Sequence, residues 1–172
     1  KKNNILLLLI FSILLPIEAW SEEVNLYSAR KEHLIKPLIL LFEKETGITV
    51  NLVTAKAAQL HERILREGNN SPADVLLTTD AGNLWKASNV NLFQKINSNI
   101  LLKKINKKYR DPQNRWFGLS LRARVIVYSL DRVSPNELKG YKYLADPRFK
   151  KRILIRSSSN IYNQSLIAHM IA

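Results

Sequence analysis

The sequence predicts an α/β fold built on a mostly parallel sheet covered on both faces. Short apolar strand-like segments alternate with helical segments of about ten to fifteen residues, the pattern of strand–helix–strand units. A first such run, from Val24 to Val53, is followed by a second that reaches Ala87. The composition, 46% hydrophobic and 24% charged over 172 residues, lies in the range of a globular domain able to bury a sizeable core. In such sheets ligands bind beyond the carboxyl ends of the strands, often where strand order reverses.

Taken in order, Val24 to Tyr27 reads as a strand, and Ser28, Ala29 and Arg30 lie at its carboxyl end. Leu34, Leu38, Leu41 and Phe42 recur at helical spacing and predict an amphipathic helix packed on the sheet. Gly47 stops it, and Ile48 to Val53 is the next strand. Ala57 to Arg66 reads as helix, Gly68 to Pro72 as turn, Asp74 to Leu77 as strand ending at Thr78, Thr79 and Asp80, and Ala81 to Ala87 as helix. After Phe93 the chain is less regular. A basic segment leads to a turn at Asp111 to Asn114, followed by Trp116 to Ser120 and strands at Ala123 to Tyr128 and Ile153 to Arg156, with turn signals at Ser134-Pro135 and Asp146-Pro147. A final helix, Asn163 to Ile171, is announced by Ser159 and Asn160. Its apolar stripe, Leu166, Ile167, Met170 and Ile171, either docks on a short single domain or belongs to a larger fold.

Lys1 and Lys2 precede an apolar run from Ile5 to Ile17, which gives way to Ala19, Trp20 and Ser21. That is the pattern of a secretory signal over residues 1–21, with cleavage expected after Ser21. The alternative is an uncleaved anchor, although the run falls short of the roughly 20 residues that cross a bilayer as a helix. Without cysteine the chain has no disulfides, thiolate nucleophiles or thiolate metal ligands. The net charge of +13 becomes +12 once Lys1, Lys2 and Glu18 are set aside. Such an excess attracts polyanions. An export signal, and basic stretches at Lys103 to Arg110 and Arg148 to Arg156 that lack a recognised nucleic-acid-binding signature, argue instead for solvated surface and no nucleic-acid partner. No G-x-S-x-G elbow, histidine-containing triad or Gly-rich phosphate loop is present, which argues against an enzyme.

Five segments carry a resemblance: VNLYSAR (Val24 to Arg30), SPADVL (Ser71 to Leu76), DAGNLW (Asp80 to Trp85), WFGLSLRARV (Trp116 to Val125) and, most specific, RSSSNIYNQSLIA (Arg156 to Ala168). In this order they resemble the motifs of the bacterial periplasmic iron(III)-binding proteins, the solute-binding components of ferric ABC transporters. The resemblance implies a two-lobed periplasmic-binding-protein (type II) fold, here truncated within the second lobe. Residues 22–122 would form the first α/β lobe, and 123–172 a crossover and incomplete second lobe. It further implies a monomer that carries iron(III), with a synergistic anion such as carbonate, to an inner-membrane ABC transporter permease from a periplasmic location.

Iron(III) favours hard oxygen donors, and a bound cation stabilises phenolate. Tyr162, in the NIYNQ context, matches the family's iron-ligating tyrosine; the structural alternative is an aromatic packed at a helix start. Guanidinium forks hold oxyanions through paired hydrogen bonds. Arg122 is favoured as the anion contact over Arg124, since one of the two faces solvent unless the strand there is regular. Arg30 is a weaker choice, assisted by backbone amides beside Ser28.

Many relatives carry His-Tyr immediately after the residue matching Arg30, whereas this chain has Lys31 and Glu32, and His33 reads as a surface histidine. Glu32 and Asp80 have simpler roles as a first-turn carboxylate and an N-cap. Longer relatives complete the iron site with adjacent tyrosines far downstream, and no Tyr-Tyr pair occurs here. The resemblance therefore implies that residues 22–172 alone fold only partly and bind iron weakly. The alternative is a small-anion-binding module of the same fold without iron binding.

Overall fold

The computed structural model describes residues 22–172. The expected signal segment lies outside the described residues. Two compact units are present: one comprises residues 22–55 and 71–77, the other residues 56–70 and 78–172.

The first unit is a three-stranded parallel sheet with strand order β2-β1-β3, made of β1 (Glu23–Ser28), β2 (Thr49–Thr54) and β3 (Val75–Leu77), plus the helix α1 (Glu32–Thr46). β1 is central, pairing Leu26 with Leu52 and Val75, and Tyr27 with Val53 and Leu76. Its carboxyl end is accordingly the most buried part, with Tyr27 and Ser28 inaccessible. At the other end polar side chains lock the register. Asp74 Oδ2 accepts from the Asn25 backbone N–H at 2.8 Å, and Asn51 Nδ2 donates to Glu23 Oε2 at 3.0 Å.

α1 ends at Gly47, whose φ of +74° is the left-handed geometry favouring glycine and whose N–H donates to Glu43 O. Glu43 then accepts from Val50 N–H at 2.8 Å, tying the helix to the start of β2. The buried line of α1 differs from the expected one. Ile35 and Ile39 are 7% and 9% exposed, whereas Leu34 and Leu38 are 55% and 61% exposed. Two adjacent apolar stripes run along this helix, and helical spacing alone does not say which one meets the sheet.

The second unit holds α2 (Ala57–Glu67), α3 (Ala81–Asn89), α4 (Asn99–Lys104) and α5 (Ile161–Ile171), joined by loops and single 3-10 turns. Leu60 of α2 and Ala87 of α3 are buried in it. α4 occupies the basic segment that reads as irregular in the sequence; Ser98 caps it, its Oγ accepting from Leu101 N–H at 3.3 Å.

The turn at Asp111 to Asn114 forms as expected. Asp111 accepts from the N–H groups of Gln113 and Arg115 and from the Arg115 guanidinium, and Arg115 also donates to Ser88 O at the end of α3. The turn brings Arg110 and Phe117 together as an antiparallel bridge.

The strands expected at Ala123 to Tyr128 and Ile153 to Arg156 do not form. Their β-branched residues favour extended backbone, but a strand also needs a ladder partner, and none is present among the described residues. Val125, Val127, Leu154 and Ile155 are exposed as a result. Among the described residues no helix is long and apolar enough to cross a membrane.

Candidate functional site

A polar cluster forms where the amino-terminal ends of α3 and α5 meet, entirely within the second unit. Gly82, in the first turn of α3, faces Ile161, the first residue of α5: a Cβ there would lie 2.8 Å from Cδ1, the movable end of the Ile161 side chain. The first turn of α5 is held by local side chains. Asn160 Oδ1 accepts from Tyr162 N–H at 3.0 Å, Asn163 donates to Arg156 O, and Gln164 donates to Ser158 O. The conformation of the 156–160 loop and the direction of Tyr162 are thereby set by the same few residues.

The Tyr162 hydroxyl donates to Thr79 Oγ1 at 3.0 Å, and Arg122 Nη1 lies 3.4 Å from the same oxygen, donating to it. Three guanidinium groups surround the ring, with Arg124, Arg156 and Arg122 at 4.8, 5.3 and 6.0 Å from its centroid. Cations over an aromatic face are attracted by its quadrupole. Asp80 completes the cluster. Its Oδ1 accepts from Gly82 N–H at 3.0 Å and from the Ser165 hydroxyl at 2.5 Å, while Oδ2 accepts from Arg124 Nη2 at 2.9 Å. The Asp80 side chain is only 8% exposed.

Tyr162 and Arg122, separated by forty positions, are thus brought together. Arg124 also faces Tyr162, while Arg122, which donates to its hydroxyl, is the more exposed of the two. Residues 120–129 are not in a strand, so strand alternation does not govern the direction of these two side chains. Tyr141 holds this loop in place, donating to Arg124 O at 2.9 Å. Asp80 is an N-cap as expected, but its ion pair with Arg124 and its bond to Ser165 are additional. Arg156 and Thr79 were missed as site residues, although both adjoin or begin recognised segments.

Ser28 and Arg30 lie in the first unit. Ser28 is inaccessible, and its Oγ accepts from Arg30 N–H at 3.1 Å, closing the turn after β1. Glu32 pairs with Lys36 at 3.5 Å on the exposed face of α1, and His33 is exposed. Among the described residues no group of three or more His, Asp or Glu side chains is gathered as a metal site. The chemistry available at the cluster is therefore one phenolic oxygen, a hard donor, beside guanidinium forks suited to an oxyanion and a carboxylate, Asp80, already engaged by Arg124, Ser165 and Gly82.

A sequence profile described as bacterial extracellular solute-binding protein matches residues 70–172. The chain is 50% identical over 150 residues to Iron uptake protein A1 of a Synechocystis species, covering 87% of this chain and 42% of that protein. Among solved structures, a Trichodesmium protein (IdiA, FutA) in complex with iron and citrate matches with a TM-score of 0.82 and 50% identity, over 87% of this chain and 47% of that one. Mannheimia haemolytica ferric iron-binding protein A in an open conformation matches with a TM-score of 0.78 and 46% identity, over 88% of this chain and 48% of that one. The chain thus spans less than half the length of these relatives.

Proposed function

Because the chain belongs to the bacterial extracellular solute-binding proteins, a family of carriers and not of enzymes, we propose that it is a periplasmic binding protein for iron(III) uptake through an ABC transporter. It is homologous to the ferric-binding proteins and has their α/β periplasmic-binding-protein fold. The observation that carries the proposal is the setting of Tyr162, a phenol held by Thr79 with an arginine donating to its oxygen. In this reading Tyr162 ligates iron(III). Arg122 holds a synergistic anion such as carbonate. Residues 1–21 direct export, residues 22–122 belong to the first lobe, and residues 123–172 begin the second. The partner is an inner-membrane permease, the protein works as a monomer, and nucleic acid is not a partner. Taken alone, residues 22–172 bind iron weakly, because affinity comes from several ligands held by a folded shell.

The number of guanidinium groups around one phenol favours a second reading, a small-anion-binding module of the same fold that does not bind iron. Titration with iron(III) in the presence of carbonate separates the two. Phenolate coordination produces a visible charge-transfer band. Binding of carbonate or phosphate without iron, and without any coloured iron complex, would replace the first reading by the second.

A further inference from the structure

We propose that Asp80 sets the charge preference of the Tyr162 cluster: by neutralising Arg124, it keeps the cluster receptive to a cation where three unpaired guanidiniums would make it an anion site. The inference rests on the iron(III) reading and deepens it by naming a specificity-determining residue.

Capping α3 does not require a carboxylate. One side-chain oxygen suffices at an N-cap, and serine or asparagine supplies it as well as aspartate does. Asp80 uses Oδ1 for that task and for Ser165, leaving Oδ2 directed at Arg124. The residue also stands at φ +74°, in a left-handed region that non-glycine residues occupy only where their surroundings hold them. Here the surroundings are two helix ends and an arginine, which fix the carboxylate against the cluster.

The charge balance follows. Three guanidiniums lie within 6.0 Å of the Tyr162 ring, and among the described residues only Arg124 has a carboxylate partner. With Asp80 in place, two uncompensated positive charges face the phenol, enough to hold an anion. Without it there are three, and like charges at this separation repel a trivalent ion strongly in a partly desolvated setting. Asp80 itself is occupied by its three partners and acts through Arg124, as a positioning residue and not as a ligand.

Asp80→Asn is the informative substitution, because asparagine caps helices and tolerates positive φ while removing the charge. Arg124→Gln removes the opposite charge, and the double variant removes both. Each variant is made in the 172-residue chain and titrated with iron(III) in the presence of carbonate, followed by visible absorbance, and separately with citrate alone by calorimetry. Thermal unfolding reports on the fold.

Asp80→Asn is expected to weaken iron(III) binding by about 10- to 100-fold, the usual effect of removing a group that supports metal ligands, and to tighten citrate binding. Arg124→Gln is expected to weaken citrate binding without weakening iron(III) binding, and the double variant to return both towards wild type. A purely structural role for Asp80 predicts that both ligands weaken together and that the double variant is worse than either single one; that result would overturn the proposal, as would unchanged citrate binding in Asp80→Asn. A wild-type protein without any iron band defeats the iron(III) reading itself. The citrate titrations still decide the role of Asp80 in that case.

Discussion

The contact between Arg122 and Tyr162 joins two residues that the motif context singles out in sequence, and it depends on side chains that no motif identifies. Thr79 is the acceptor for the phenol hydroxyl. Thr79→Val removes that acceptor while keeping the side-chain volume, and is expected to cost about 1 kcal/mol, the net value of one hydrogen bond, measured by chemical denaturation. Arg122→Ala is expected to leave the fold intact, since this side chain is exposed, and to reduce the dependence of iron(III) binding on carbonate; titrations with and without bicarbonate check this. The proximity of Tyr162 and Arg122 fits an expectation that rested on the NIYNQ motif for the tyrosine and on the oxyanion chemistry of guanidinium for the arginine. The Asp80–Arg124 pair was not legible in the sequence, because it links positions 44 residues apart and depends on the path of a loop that strand propensity misdescribes.

At the scale of elements, the parallel unit β1-α1-β2 and the addition of β3 were readable from alternation, turn residues and length, since each strand has its own apolar signal. The face that α1 buries was not, because both of its apolar stripes satisfy helical spacing. Where α3 and α5 approach, Gly82→Ala places a methyl group against the movable end of Ile161 and against Asp80 Oδ1, crowding that the higher helix propensity of alanine opposes, so chemical denaturation is expected to show a change of no more than about 1 kcal/mol.

The turn after α4 provides a pH-dependent test. The Arg115 side chain, bonded to the buried Asp111, is the main cause holding the Asp111 carboxyl below the ordinary carboxylate range, opposed by desolvation and assisted by backbone N–H groups. A carboxylate with a lowered folded pKa stabilises the protein above its unfolded value and loses that contribution as pH falls through the folded one. Asp111→Asn should therefore lower the melting temperature fully at neutral pH, with the difference from wild type shrinking as pH drops below about 4, the unfolded aspartate value.

For the molecule as a whole, the balance between buried and exposed apolar surface bears on what residues 22–172 do alone. Leu34, Leu38, Val125, Val127, Leu154 and Ile155 are all exposed, and the chain spans less than half the length of the relatives it matches. Apolar surface left in water contributes no burial energy to folding. Calorimetry of residues 22–172 is thus expected to show a broad transition in place of a single cooperative one. The most direct measurement is the visible difference spectrum of the wild type and of Tyr162→Phe during titration with iron(III) and carbonate. A charge-transfer band in the wild type, developing only at high ferric concentration and lost in Tyr162→Phe, is the expected result. A band of equal intensity in both proteins, or its absence from the wild type, would contradict the assignment of Tyr162 as a ligand for iron(III).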